Sequence, residues 1–138
     1  MEYSKSPVVF VVDRNPIHGS LIKYHLNVNR FLKVHVFQSE EECIYRLGKN
    51  LFPDFLITDH NVDGNNGFDI LEKVKKMSPD VRIIFFSSCE DPILAFRLLE
   101  AGASDYIVKT SQLAIGIAEL IKNVKYLCRD EIQVKKIY

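Results

Sequence analysis

The sequence predicts an α/β fold, a doubly wound five-stranded parallel sheet with strand order 2-1-3-4-5. Short apolar runs rich in β-branched residues alternate with amphipathic stretches along the whole 138-residue chain. Each run is separated from the next by enough residues for a helical crossover, so consecutive strands run in the same direction. Charged and hydroxyl residues collect where the runs end, the side on which such sheets gather ligands.

The elements follow in order. Val8-Val9-Phe10-Val11-Val12 is a continuous apolar run, the mark of a strand covered on both faces. Asn15-Pro16 then starts a helix with proline in its first turn. Ile17, Leu21, Tyr24 and Val28 recur at helical spacing as its apolar stripe. Phe31 to Gln38 alternates as a second strand, with Phe31, Lys33, His35 and Phe37 on one face and Leu32, Val34 and Val36 on the other. Ser39-Glu40-Glu41-Glu42 matches a capping box and opens a helix carrying Cys43, Ile44 and Leu47. Phe55 to Asp59 is the third strand, and His60 to Gly67 is rich in turn residues.

A third helix runs from about Phe68 to Met77, and Val81 to Phe86 is the fourth strand. Asp91-Pro92 caps a fourth helix that Gly102 stops after Ala101. Tyr106-Ile107-Val108 is a short fifth strand. Ser111 opens a long last helix with Leu113, Ile117, Leu120, Ile121, Val124 and Leu127 along one side. No repeat, low-complexity tract or internal linker interrupts this order, so residues 1–138 read as one domain with a core of about 8–127. Residues 129–138 either continue the last helix or form the stump of a linker in a longer protein. Within these 138 residues no DNA-binding or enzymatic output domain is expected after that helix.

Composition narrows the function. At 47% hydrophobic residues a core forms without disulfides or metal. Eighteen basic and eighteen acidic residues cancel, removing the electrostatic footprint of direct nucleic-acid binding. Cys43, Cys89 and Cys128 are scattered and form no CxxC pair, so they read as reduced thiols packed as small hydrophobes. The first seven residues are polar, unlike a signal peptide, and no apolar run spans a bilayer; the expectation is a soluble cytoplasmic protein.

Asp13-Arg14, Asp59, Ser87-Ser88 and Lys109 leave the strands at one edge. Charged tips on buried strands are unfavourable unless they face one another or a ligand. In this order and context, Val11-Val12-Asp13, Ile57-Thr58-Asp59, Gly64 and Gly67, Phe86-Ser87-Ser88, Ala101-Gly102-Ala103-Ser104-Asp105-Tyr106 and Val108-Lys109 resemble the receiver domain of bacterial response regulators, from Val8 to about Leu127. The resemblance implies a CheY-like, flavodoxin-like (βα)5 fold and a signalling role in a two-component phosphorelay. Asp59 would accept a phosphoryl group from a histidine kinase or phosphotransfer protein. Ser87 would hydrogen-bond that group, Lys109 would pair with it, and Tyr106 would be the aromatic switch. Mg²⁺ would be held by Asp13, Asp59 and the backbone carbonyl of Asn61. The domain would be no enzyme beyond assisting its own phosphorylation and dephosphorylation. Its downstream partner would dock on the fourth helix, fifth strand and fifth helix, where Ile93 and Phe96 lie one turn apart. A monomer or weak homodimer is expected.

Where such receivers carry two adjacent acids, this chain has Asp13-Arg14, and Pro16 fixes the alignment. If Arg14 points inward, two carboxylates meet two cations and the pocket is neutral without metal. If it swings to solvent, the ion survives on Asp13, Asp59 and water. The expectation is weakened Mg²⁺ binding. Thr110 follows Lys109 where proline is frequent, and Asp63 stands in the loop where proline is common.

Other readings fail on particular residues. Asp59 to Gly64 copies the first half of an EF-hand loop, but position twelve, which needs glutamate, is Ile70. Asp13-Arg14-Asn15-Pro16 is too acidic and bulky to cradle a flavin phosphate, and it lacks the second acid of an aspartyl hydrolase. His18, His25, His35 and His60 show no metal or catalytic spacing, and only His60 is expected near the edge. The alternative of a different class is a phosphorylation-independent interaction module, a pseudo-receiver.

Overall fold

The computed structural model describes residues 6–49, 51–59 and 67–137, with 129–137 as backbone only. Five strands and five helices alternate: β1 (Val8–Val12), α1 (Pro16–Val28), β2 (Lys33–Phe37), α2 (Glu40–Leu47), β3 (Phe55–Thr58), α3 (Phe68–Met77), β4 (Arg82–Ser87), α4 (Pro92–Glu100), β5 (Asp105–Val108) and α5 (Leu113–Ile137). The strands form one sheet in the order β2-β1-β3-β4-β5, every pair parallel. The predicted topology is the observed one.

Side-chain alternation along the central strands splits the core into two layers. Val9, Val11, Phe55, Ile57, Ile84 and Phe86 face α1 and α5, where they meet Ile22, Leu26, Ile117, Leu120 and Val124. Phe10, Val12, Leu56, Ile83 and Phe85 face the other way, onto Cys43, Leu47, Ile70, Leu71, Val74 and Leu98. Each fully buried side chain of this size contributes about 1.5–3 kcal/mol.

The caps behave as the sequence indicates. Asn15 Oδ1 accepts the Ile17 N–H at 2.9 Å, Ser39 Oγ accepts Glu42 N–H at 3.2 Å, and Asp91 Oδ1 accepts Ile93 N–H at 3.0 Å. Gly102, after α4, sits at φ 118°, which a residue with a Cβ adopts only under strain.

Two expectations about local packing are corrected. The stripe Ile17, Leu21, Tyr24 and Val28 is exposed, and α1 buries Gly19, Ile22 and Leu26 instead. The reason lies at Gly19, where an added Cβ would stand 2.8 Å from Val36 Cγ1. Only a residue without a side chain lets α1 approach the sheet this closely, and that contact sets the rotation of the helix. In addition, β2 begins at Lys33, so Phe31 precedes the strand and escapes its alternation. Phe31 packs with Val34 under α1 and α5, while Leu32 is exposed. The other helices are held unequally. Among the residues of α4 only Leu98 is fully buried, whereas Ile93 and Phe96 are exposed.

Cys43 is fully buried, and burial, assisted by the Glu40 carboxylate, pushes its thiol up to about 12. The reactive species is the thiolate. Iodoacetamide at mildly alkaline pH is therefore expected to spare Cys43 in the native protein and to label it once denaturant is added. Peptide mapping that finds Cys43 labelled as fast as half-buried Cys89 in the native state would refute this.

Candidate functional site

The ladder hydrogen bonds continue one residue beyond the carboxyl ends of the strands, and they fix the charged tips. Asp13 N–H donates to the Phe37 carbonyl at 2.9 Å, Asp59 N–H to Val12 at 3.2 Å, and Lys109 N–H to Ser87 at 2.7 Å. Asp13, Asp59 and Lys109 thereby meet at the edge of an open cleft of about 600 Å³. Arg14, Asn15, His18, Ser88, Thr110 and Ser111 complete most of its lining.

Lys109 is the centre of the charge arrangement. Its ammonium lies 2.6 Å from Asp13 Oδ2 and 3.3 Å from Asp59 Oδ2, with both lysine and Asp13 buried. The Phe86 ring lies beneath it, 5.5 Å from Nζ to centroid. Burying these charges is tolerable only because they pair. Asp59 is the more accessible acid, its side chain 16% exposed against 5% for Asp13. Of the two carboxylates it is the one a reactant reaches.

Arg14 is exposed on the rim, and among the described residues it forms no ion pair. Without a pairing to Arg14, the set of Asp13, Asp59 and Lys109 carries one formal net negative charge. Asp13 has both oxygens engaged, Oδ1 by the Asn15 N–H at 2.9 Å and Oδ2 by Lys109. Two carboxylates on one side of a cleft fit a hard divalent cation. One of them is already committed to Lys109 and the Asn15 amide, and Arg14 stands where a neighbouring acid would add a ligand. No group of three or more His, Cys, Asp or Glu gathers among the described residues. Asn61, His60, Asp63 and Gly64 lie outside the described residues.

Ser87, at the end of β4, is fully buried, and its Oγ accepts the Cys89 N–H at 3.2 Å. The neighbouring Ser88 lines the cleft. Tyr106, on β5, donates its hydroxyl to the Cys89 carbonyl at 2.7 Å and stacks on Phe85. Burial pushes the Tyr106 phenol up to about 12, against the opposing effect of a hydrogen bond with the Ser87 hydroxyl. Ser87, Cys89 and Tyr106 thus form one connected unit beside the cleft.

His18 is the site residue that the sequence reading missed. It lines the cleft from the first turn of α1, and its Nδ1 lies 3.2 Å from Lys109 Nζ. The expectation that only His60 stands near this edge is therefore corrected. The available signal was the cap: Asn15-Pro16 starts α1 at the strand edge, so its first turn overhangs the strand tips.

A family model described as the response regulator receiver domain matches residues 9–124. The response regulator GacA of Pseudomonas aeruginosa is 23% identical over 118 residues, covering 86% of this chain and 53% of that protein. The sensory transduction protein LytR of Staphylococcus epidermidis is 31% identical over 100 residues, covering 72% of this chain and 38% of that protein. The chain spans about half the length of the GacA relatives it matches. Among solved structures, a CheY-like receiver domain protein from Methanospirillum hungatei matches with a TM-score of 0.80 at 20% identity, covering 94% of this chain and 98% of that one.

Proposed function

Because the chain belongs to the response regulator receiver domain family, we propose that it acts in a two-component phosphorelay by accepting a phosphoryl group on Asp59. The observation that carries this reading is the convergence of the accessible Asp59 carboxylate with the buried Lys109 ammonium at 3.3 Å. The donor would be a phosphohistidine on a histidine kinase or phosphotransfer protein. An Asp59 oxygen bonds to phosphorus as the phosphorus–nitrogen bond breaks, and the leaving imidazole takes its proton from water. Such a transfer depends on in-line positioning and charge neutralisation more than on a general base.

Lys109 provides the fixed cation and pairs with a phosphoryl oxygen. Asp13, Asp59 and the Asn61 carbonyl would hold Mg²⁺, which when bound neutralises phosphoryl charge. Arg14 in place of the second acid weakens that site. Ser87 and Tyr106 act as the switch: drawing the Ser87 hydroxyl to the phosphoryl group breaks its bond to Cys89 and shifts the unit to which Tyr106 belongs. The domain core is residues 8–127, and it turns over no substrate of its own beyond assisting its phosphorylation and dephosphorylation.

The downstream partner would be a protein docking on α4, β5 and α5, where Ile93 is 65% and Phe96 is 59% exposed. Direct nucleic-acid contact is not part of this reading, and a monomer or weak homodimer is. No described helix is long and apolar enough to cross a membrane; cytoplasmic residence belongs to the proposal. The second reading, a phosphorylation-independent interaction module, draws on the same apolar face together with Arg14.

Incubation with acetyl phosphate and Mg²⁺, followed by intact mass measurement, separates the two. One added phosphoryl mass is expected on the wild type and none on Asp59→Asn. A wild type that gains no mass rejects the phosphoacceptor reading in favour of the interaction module.

A further inference from the structure

We propose that His18 is a positioning residue for this transfer, fixing the direction in which Lys109 presents its ammonium to the phosphoryl group. The proposal rests on the reading that Asp59 is phosphorylated, and it concerns a residue outside the acid, hydroxyl and lysine set described above.

An ammonium has three N–H donors and no acceptor. Lys109 has three acceptors around it: Asp13 Oδ2 at 2.6 Å, His18 Nδ1 at 3.2 Å and Asp59 Oδ2 at 3.3 Å. With the side chain buried and the Phe86 ring beneath Nζ, these partners account for all three donors. Because lysine only donates, His18 Nδ1 accepts, and the ring proton sits on Nε2.

Phosphorylation changes one of the three contacts. The Asp59 oxygen becomes part of the acyl phosphate, and Lys109 exchanges it for a phosphoryl oxygen. The other two contacts remain, and two fixed acceptors define where the third N–H points. With Asp13 alone, the ammonium is free to turn about a single short ion pair. The choice of a neutral acceptor also matters. A carboxylate at residue 18 would hold the ammonium more tightly but would repel the incoming phosphoryl group, and imidazole supplies the direction without that charge.

The placement of His18 is not incidental to the fold. Asn15 donates its N–H to Asp13 Oδ1, and its own Oδ1 accepts the N–H groups of Ile17 and His18 at 2.9 and 3.4 Å. The segment that holds Asp13 therefore also holds the backbone of His18, so the two anchors of Lys109 are built as one piece.

The test compares the full chain carrying His18→Leu or His18→Asn with wild type, reading phosphorylation by acetyl phosphate across a concentration series. Leucine keeps bulk but offers no acceptor, whereas the asparagine Oδ1 stands near the place of Nδ1. Losing one hydrogen bond to a charged group is expected to lower the maximal rate of His18→Leu about tenfold, with half-saturation little changed. His18→Asn should stay within about twofold of wild type. A His18→Leu protein at the wild-type rate, or a His18→Asn protein as slow as His18→Leu, overturns the proposal. A second readout needs no phosphorylation. Long-range proton–nitrogen spectra should show His18 unprotonated at Nδ1, with that resonance moving on Lys109→Met; a protonated or unmoved Nδ1 overturns the contact. If wild type takes no phosphoryl group while this signature is present, the phosphoacceptor reading has failed and the hold of His18 on Lys109 stands.

Discussion

Replacing Lys109 by methionine is expected to lower the rate of Asp59 phosphorylation by at least ~100-fold, the usual consequence of removing a fixed charge from a transfer site. The same substitution is expected to weaken the fold. Lys109 is the shared partner of Asp13 and Asp59, and its loss leaves neighbouring, mostly buried carboxylates facing each other. Breaking a buried pair by removing one member costs about 3 kcal/mol or more, roughly ten degrees in Tm for a domain of this size. Added Mg²⁺ should recover part of that loss, because a divalent cation takes the place of the ammonium between the two acids. Thermal melts with and without Mg²⁺ check this. A variant that melts at the wild-type temperature in chelator would show that the carboxylates do not depend on Lys109.

Arg14→Asp is expected to raise Mg²⁺ affinity about tenfold, by adding a ligand oxygen and a negative charge beside Asp13. Calorimetric titration of wild type, Arg14→Ala and Arg14→Asp identifies the cause. Arg14 is exposed and unpaired with the acids, so its charge is screened and its removal alone should change affinity by no more than about twofold. The missing acid is then the main defect of the site. Equal affinity in wild type and Arg14→Asp would show that Asp13 and Asp59 already suffice. A tenfold gain from Arg14→Ala would show that the guanidinium itself repels the ion.

Much of this architecture was legible from the residues. Val8 to Val12 and Phe55 to Ile57 are continuous apolar runs, and a strand covered on both faces satisfies them. Asn15-Pro16, Ser39 and Asp91 mark helix starts because their side chains satisfy amides that the helix leaves open. The meeting of Asp13, Asp59 and Lys109 followed from topology, since parallel strands deliver all their carboxyl ends to one edge.

The rotation of α1 was not legible. Apolar residues occupy more than one of its faces, and periodicity favoured Ile17, Leu21, Tyr24 and Val28. Gly19, which has no side chain to count, marks the face that packs, roughly half a turn away. His18 was lost through the same error, because its place in the cleft depends on how α1 is turned. The direction of Arg14 was equally inaccessible, since a long charged side chain at a rim is placed by solvent as much as by sequence.

The contact at Gly19 has a mechanical consequence. With no room between α1 and Val36, the helix is keyed into the sheet, and sliding or rolling it requires the sheet to deform. Opposite it, α4 is fastened chiefly through Leu98, with its apolar Ile93 and Phe96 facing solvent. The helices on the two faces of the sheet are therefore held unequally. α1 is locked against the sheet beside His18 through Gly19, Ile22 and Leu26, whereas α4 has Leu98 as its one fully buried residue. Segments with few buried contacts move at the lowest free energy. If Asp59 takes up a phosphoryl group as proposed, α4 is the helix expected to yield, because Gly19 leaves α1 no room to move against the sheet.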